Sequence, residues 1–284
     1  MQKNKIGILY ICTGPYTVFW KDFFLSFEEK FITDYEKYYY VFTDSDTIYG
    51  EDTCDRVKRI RIDQMPWPLI TLMRFRFFNS IEEELKKCDY LLFSNSNIVC
   101  ETKIEASEIL PDENEKLFFT THPGYFGQKI YDYPYERSKR SLAYIPWNCG
   151  KTYVIGAFFG GRSKPFLEMS KILENRINDD LRRNVIARWH DESHINRYIV
   201  GKDHIKLLSP SYCFPVGIDV DYEKKIAGVS KQDKFDVHSF KNGSNFEDER
   251  KDHARIKNYI RRKKIYKALH FFADSMLQSE IKEI

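Results

Sequence analysis

The eight residues Trp189-His190-Asp191-Glu192-Ser193-His194-Ile195-Asn196 hold two histidines, two acids, a tryptophan and an asparagine. Metal coordination and carboxylate chemistry both draw on such a set. On a helix His190 and His194 share a face, whereas Glu192, about 200° round from His190, points nearly the opposite way. A zinc site of the His-Glu-x-x-His kind wants its glutamate next to the first histidine, on the metal side, and this spacing does not supply it. A simpler reading has Asp191 and Glu192 offsetting the dipole at a helix start. Other polar groups fall at the ends of apolar runs: Thr43-Asp44, Ser94-Asn95-Ser96-Asn97 and Thr121-His122. Positions i and i+2 of an extended segment face one way, so Asn95 and Asn97 can reach a single ligand. The same triplet also reads as an Asx turn leading out of a strand.

The elements that must position these groups alternate between strands and helices. Lys5 to Thr13 is a buried first strand, stopped by Gly14-Pro15, and Tyr16 to Phe31 continues as an amphipathic helix with Phe19, Phe23, Leu25, Phe27 and Phe31 as its apolar points. Tyr38 to Asp44 and the alternating Val57 to Ile62 follow as strands, and Leu69 to Lys87 as a helix carrying Met73, Arg74, Phe77, Ile81 and Leu85. Further strands run from Asp89 into the Asn-Ser-Asn triplet, from Leu117 to His122, and from Tyr153 to Gly161, where glycines mark a close approach. Pro165 to Arg182 is a helix that leads to the Trp189–Asn196 element. This alternation predicts an α/β domain with a mostly parallel sheet whose polar strand ends converge on one crevice. No G-x-G-x-x-G or P-loop is present, which argues against dinucleotide-binding and P-loop nucleotide-hydrolysing classes.

The chain has 284 residues, a formal net charge of +3 and 16% aromatic residues. So weak a positive balance gives no argument for a nucleic-acid partner, and the aromatics suit stacking surfaces as well as core. The six cysteines (Cys12, Cys54, Cys88, Cys100, Cys149, Cys213) form no C-x-x-C pair and read as reduced, mostly buried thiols of a cytoplasmic protein. The apolar run near the start is too short for a signal peptide or a membrane span. Residues 1–240 read as one catalytic domain and 241–284 as a basic helical tail. Between Arg250 and Lys267 the basic residues Arg250, Lys251, Arg255, Lys257, Arg261, Arg262, Lys263, Lys264 and Lys267 interleave with Ile256, Ile260, Ile265 and Tyr266. Such a segment suits peripheral contact with the anionic inner membrane face, or a solvated helix packed on its own domain.

Seven blocks, in order, resemble glycosyltransferase family 6, the family of the histo-blood-group A and B transferases and the α-1,3-galactosyltransferase. They are Tyr90 to Asn97, Thr121 to Gly127, Tyr135-Glu136-Arg137, Ala143 to Pro146, Gly156 to Gly161, Trp189 to Asn196 and Leu208 to Cys213. The resemblance runs from about Lys5 to Phe235. With no stem or membrane anchor in the sequence, the chain resembles a soluble bacterial member. The resemblance implies the GT-A nucleotide-sugar transferase fold, with a mostly parallel central sheet flanked by helices. It implies a retaining α-1,3 transfer of galactose or N-acetylgalactosamine from UDP to the 3-OH of a galactose. Carried over by position, Ile11, Cys12 and Tyr16 would hold uracil and ribose, and Arg74 would contact donor sugar and phosphate. Ile155, Gly156 and Ala157 would read the sugar's 2-substituent. His122, Pro134 and Trp189 would contact the acceptor, with Pro134 in place of the usual threonine or similar polar residue. Asp191 would hold donor-sugar hydroxyls and Glu192 matches the catalytic glutamate.

The departure from the family pattern is Asn95-Ser96-Asn97, where vertebrate members carry Asp-x-Asp. Hard cations need charged oxygen ligands, so the expectation is an enzyme that needs no metal ion or other cofactor. Charge on the leaving UDP must then meet a protein cation. Arg74 and the basic segment from Lys224 to Lys234 offer several, and Lys231 is the choice because Ser230-Lys231-x-x-x-Phe235 resembles the family's closing segment. Ala157 exceeds glycine by one methyl, whereas Ile155 is less bulky than the methionine of galactose-using relatives. On balance this favours UDP-GalNAc over UDP-galactose. The acceptor expected is a galactose-terminated oligosaccharide bearing α-1,2-fucose, as in H antigen. Two other classes are weighed. One is an inactive sugar-nucleotide or glycan-binding protein, against which intact Trp189, Asp191 and Glu192 count. The other is a metallohydrolase built on His190 and His194, for which no third ligand suggests itself.

Overall fold

The structure, a computed structural model, describes residues 3–217 and 221–237. The basic tail expected over 241–284 lies outside the described residues. The strands are β1 (Lys5–Ile11), β2 (Glu36–Thr43), β3 (Val57–Arg61), β4 (Tyr90–Ser94), β5 (Ile98–Cys100), β6 (Leu117–Thr121), β7 (Val154–Arg162), β8 (Ile205–Leu208) and β9 (Ile226–Gly228). The α-helices are α1 (Trp20–Lys30), α2 (Leu69–Leu72), α3 (Arg74–Asn79), α4 (Glu82–Leu85), α5 (Ala106–Ile109), α6 (Ser163–Arg182) and α7 (His190–Ile199).

Seven strands form one sheet in the order β3-β2-β1-β4-β7-β6-β8, and β5 with β9 forms a separate two-stranded ribbon. β1 runs parallel to both β2 and β4, with Ile8 opposite Tyr39 on one side and Leu92 on the other. The chain moves outward from β1 through β2 to β3, then returns to place β4 on the far side of β1. That reversal opens a crevice outside the carboxyl ends of β1 and β4. β7 is antiparallel to both of its neighbours, pairing Phe159 with Phe93 of β4 and with Phe119 of β6. The sheet is therefore mostly parallel, as its apolar runs led one to expect, but the start of β7 arrives at the edge where the other strands end.

Period-2 alternation sends side chains to two cores. Ile6, Ile8 and Tyr10 of β1 and Tyr39 and Val41 of β2 pack against Trp20, Phe23 and Phe27 of α1. Leu9, Tyr40 and Phe42 face the other way, into a core with Phe75 and Phe78 of α3 and Phe166, Met169 and Leu173 of α6. Gly160 is required by the close approach of β4 to β7, because a Cβ there would lie 2.7 Å from Leu92 Cβ and closer still to the Leu91 carbonyl oxygen.

Three expectations need correction. The helix read over Tyr16 to Phe31 begins as a 3-10 turn, Gly14–Phe19, before α1. Its Leu25 is 43% exposed, while Trp20 and Phe24 are buried in its place. The single helix read over Leu69 to Lys87 is three short ones, α2, α3 and α4. The Ser80 hydroxyl donates to the Phe77 carbonyl, three residues back, drawing that acceptor out of the helical ladder at the second break. Among the described residues no helix is long and apolar enough to cross a membrane.

Candidate active site

The first turn of α7 carries both acids, and the path into it is tight. His190 has φ 52°, in the left-handed region that non-glycine residues seldom adopt, and its ring meets Trp67 edge-on at 4.8 Å. Asn196, about one turn beyond Glu192, fixes the helix to the start of β7. Its Oδ1 accepts the Val154 N–H at 3.0 Å and its Nδ2 donates to the Val154 carbonyl at 2.9 Å. That pair of hydrogen bonds brings Asp191 and Glu192 against Gly156.

Arg74 Nη1 lies 2.9 Å from Asp191 Oδ2 and donates to the Gly156 carbonyl at 2.5 Å, while its guanidinium sits 4.0 Å from the Phe93 ring. Burial pushes the Asp191 carboxyl above its ordinary value, and the Arg74 charge opposes the rise. Glu192 accepts the Tyr153 hydroxyl at Oε1 (2.7 Å) and the Gly156 N–H at Oε2 (2.8 Å). Its pKa is pushed up to about 7, first by burial, with the adjacent Asp191 adding to the rise and the two hydrogen bonds limiting it. A Cβ on Gly156 would lie 3.3 Å from Glu192 Cβ and 3.4 Å from Asp191 Oδ2, so this glycine keeps the space beside both acids open.

Beyond Arg74 lies a cavity of about 230 Å³ in the crevice between β1 and β4. Ile11, Tyr16, Arg74, Asn95, Asn97 and Lys231 line it, all six of them expected from the sequence. Thr13, Met65, Trp67, Ile70, Thr71, Phe93 and Ser96 line it too and were missed. Trp67 had a readable signal, an aromatic held between Pro66 and Pro68 ahead of the helices. Burial lowers the Lys231 ammonium below its ordinary value, and no carboxylate among the described residues pairs with it. Its Nζ lies 5.4 Å from the Tyr16 ring.

Other expected residues stand elsewhere. Cys12 is fully buried in the core, its N–H given to Phe42 O and its thiol pushed up to about 12 by burial, so its side chain does not line the cavity. Ala157 gives its carbonyl to the Asn95 N–H at 2.8 Å, and Ile155 precedes Gly156 on the strand. Of the strand ends, Asp44 uses both carboxylate oxygens to accept the Gly14 N–H, a structural role in the loop after β1.

His122 ends β6. Its Nδ1 accepts the Gly124 N–H at 3.0 Å, which leaves the proton of the neutral ring on Nε2, and burial lowers its pKa to about 4. The ring lies 4.9 Å from Tyr125 and 5.6 Å from Tyr153, the tyrosine that holds Glu192. Trp189 packs on a small core of Tyr135, Ile145 and Tyr153, and the buried Pro134 precedes Tyr135. His122, Pro134 and Trp189 thus gather round the Glu192 side, apart from the cavity.

The two histidines of α7 do not make a metal site. His190 packs on Trp67, and His194 is buried with Nε2 3.6 Å from Asp180 Oδ2 and its pKa lowered to about 3, chiefly by burial. No group of three His, Cys, Asp or Glu side chains suited to a metal occurs among the described residues. The Asn95-Ser96-Asn97 triplet offers neutral amide and hydroxyl oxygens, and the Asn97 amide nitrogen is committed to Val229 O at 2.9 Å. Such a donor set does not fit a hard dication.

The sequence model of glycosyltransferase family 6 matches residues 1–237. The O-antigen biosynthesis glycosyltransferase WbnI of Escherichia coli is 37% identical over 227 residues, covering 80% of this chain and 95% of that protein. The globoside alpha-1,3-N-acetylgalactosaminyltransferase 1 of Gallus gallus is 33% identical over 213 residues, covering 73% of this chain. The histo-blood group ABO system transferase 2 of Rattus norvegicus is 29% identical over 218 residues, covering 75% of this chain. The matched segment spans 61% of the chicken protein and 64% of the rat protein.

Proposed function

Because the chain belongs to glycosyltransferase family 6, with an α/β sheet of the GT-A kind, we propose that it is a retaining α-1,3-glycosyltransferase that works without a metal ion. The donor is UDP-GalNAc in preference to UDP-galactose, and the acceptor is the 3-OH of a galactose carrying α-1,2-fucose. The observation that carries this reading is the pairing of two unlike environments about Arg74. On one side Glu192 is fixed by Tyr153 and Gly156. On the other the cavity is lined by a half-buried Lys231 that has no carboxylate partner among the described residues.

As the glycosidic bond to UDP breaks, positive charge grows at the anomeric carbon and negative charge on the departing β-phosphate. Glu192 supplies the anion for the first, with Asp191 and Arg74 holding the sugar beside it. Lys231 supplies the cation for the second, the role a bound dication would otherwise fill. The neutral His122, with its proton on Nε2, donates to an acceptor hydroxyl, and Trp189 covers the sugar face. Supporting the donor choice, Gly156 leaves space next to both acids, and Ile155 is less bulky than methionine.

In EDTA the purified protein should hydrolyse UDP-GalNAc slowly and transfer it to an α-1,2-fucosylated galactoside, faster than it uses UDP-galactose. Activity lost in EDTA and restored by Mn²⁺ would overturn the metal-free part. Faster use of galactose would overturn the donor choice, and no turnover of either sugar the enzyme itself.

A further inference from the structure

The turn Asn95-Ser96-Asn97 is pinned residue by residue, and its last attachment differs in kind from the first two. Asn95 gives its N–H to Ala157 O at 2.8 Å, and the Ser96 carbonyl accepts the buried Tyr10 hydroxyl at 2.8 Å. Asn97 stands one residue before β5, opposite Val229, one residue after β9. The ribbon register pairs Ile98 with Gly228, so Asn97 and Val229 are the next rung. One bond of that rung is ordinary: Val229 gives its N–H to the Asn97 carbonyl at 2.8 Å. The other comes from a side chain, Asn97 Nδ2 donating to Val229 O at 2.9 Å. A carbonyl oxygen only accepts, so the amide orientation follows from chemistry.

Two residues after Val229 comes Lys231, which lines the same cavity as Asn95 and Asn97. Downstream the chain is moored again. The Phe235 ring packs on Tyr16 at 5.1 Å and on Phe19 at 6.2 Å, and Lys234 Nζ lies 3.6 Å from Asp22 Oδ2. The stretch from Val229 to Phe235 is thus held at both ends, with Lys231 between them.

We propose that Asn97 is a positioning residue, its side-chain amide latching Val229 so that Lys231 is held where a nucleoside diphosphate is received. The inference rests on the reading of Lys231 given above. An aspartate at 97 could not form the latch. A carboxylate has no proton to donate at neutral pH, and it would set a negative charge against the Val229 carbonyl oxygen. The asparagine here is then a gained donor as well as a lost metal ligand, and restoring Asp-x-Asp would release the very segment that replaces the metal.

The test compares Asn97→Ala, Asn97→Asp, Lys231→Ala and the double variant Asn97→Ala/Lys231→Ala, all in EDTA. Calorimetry gives the affinity for UDP and for uridine, and mass-spectrometric footprinting with an amine-reactive reagent gives the accessibility of Lys231. Both Asn97 variants should weaken UDP about tenfold, leave uridine unchanged and raise the labelling of Lys231. The double variant should bind UDP no more weakly than Lys231→Ala alone, because the latch acts through the lysine. Additive losses, or an equal loss for uridine, would make Asn97 a direct nucleotide contact or a general fold residue and overturn the latch. So would wild-type labelling of Lys231 in both Asn97 variants. If Lys231→Ala binds UDP normally, the role assigned to Lys231 fails, while raised labelling in the Asn97 variants would still uphold the latch itself.

Discussion

Glu192 is kept near neutrality by its surroundings, and that has opposite consequences for chemistry and for stability. The carboxyl ionises as pH rises through about 7, against an ordinary value of 4.5. A reaction that needs its anion should quicken as pH rises through 7 and level off above it, in profiles of kcat/KM for transfer. In the folded state its pKa lies above the unfolded one. Its stabilising contribution is therefore complete below 4.5 and lost as pH rises through 7, where a buried charge has to be maintained. Glu192→Gln keeps an acceptor for the Gly156 N–H and removes the titration. It should bind UDP normally and slow transfer by about 10²- to 10⁴-fold. It should also be the more stable protein by about 1–2 kcal/mol at pH 8, with no advantage at pH 4.5. Urea denaturation at the two pH values reads this directly, and a stability difference independent of pH would contradict it.

At the scale of elements, the loop between β6 and β7, on which the proposed acceptor contact Pro134 lies, has little regular structure of its own, so its shape is set from outside. Asp180 of α6, 1% exposed, accepts the Ser141 hydroxyl and the Leu142 N–H and pairs with Arg183. Glu136 accepts the N–H groups of Ser138 and Arg188, and Tyr135 donates its hydroxyl to Thr152 O. Asp180→Ala strands one buried and one part-buried donor and should cost about 1–3 kcal/mol. It should also raise KM for the acceptor while UDP affinity holds, measured by denaturation and by acceptor titration; an unchanged acceptor KM would separate this anchor from the site. Much at this scale was legible in advance. β1, β2, β4, β6 and β7 announced themselves as apolar runs, and α6 and α7 by their periodicity. β5 and β9, at three residues each, are too short to show a period. The reversed sense of β7 was not legible either, since a run buried on both faces reads the same in either direction. In the site, the direction of Glu192, away from the buried His194, followed from spacing alone. The bond from Asn97 to Val229 joins residues 132 apart, and no local pattern signals it.

At the scale of the whole molecule, one sheet separates two aromatic-rich cores and presents the cavity at the edge where β1 and β4 end. The nine basic residues named between Arg250 and Lys267 lie outside the described residues and are read from sequence alone. If they serve a membrane surface, the full chain should sediment with vesicles rich in anionic lipid at low salt and be released as salt rises. A chain ending at residue 249 should stay in the supernatant at any salt, and sedimentation of that shorter chain would place the contact elsewhere.

The reversal of β7 has a further consequence. Because this strand begins at the crevice instead of ending there, His122, Pro134, Ile155, Gly156 and Ala157 fall within one uninterrupted stretch of 122–157, in which residues proposed to contact the acceptor run straight into those proposed to read the donor sugar. In a fully parallel sheet such groups would be dispersed among separate loops. On the function proposed above, a single crossover on each side of that stretch would exchange these residues of both sugar sites together, leaving Trp189, Asp191 and Glu192 in place. A change of product is thus within reach of one recombination event, and the same stretch is the natural unit for grafting specificity between relatives.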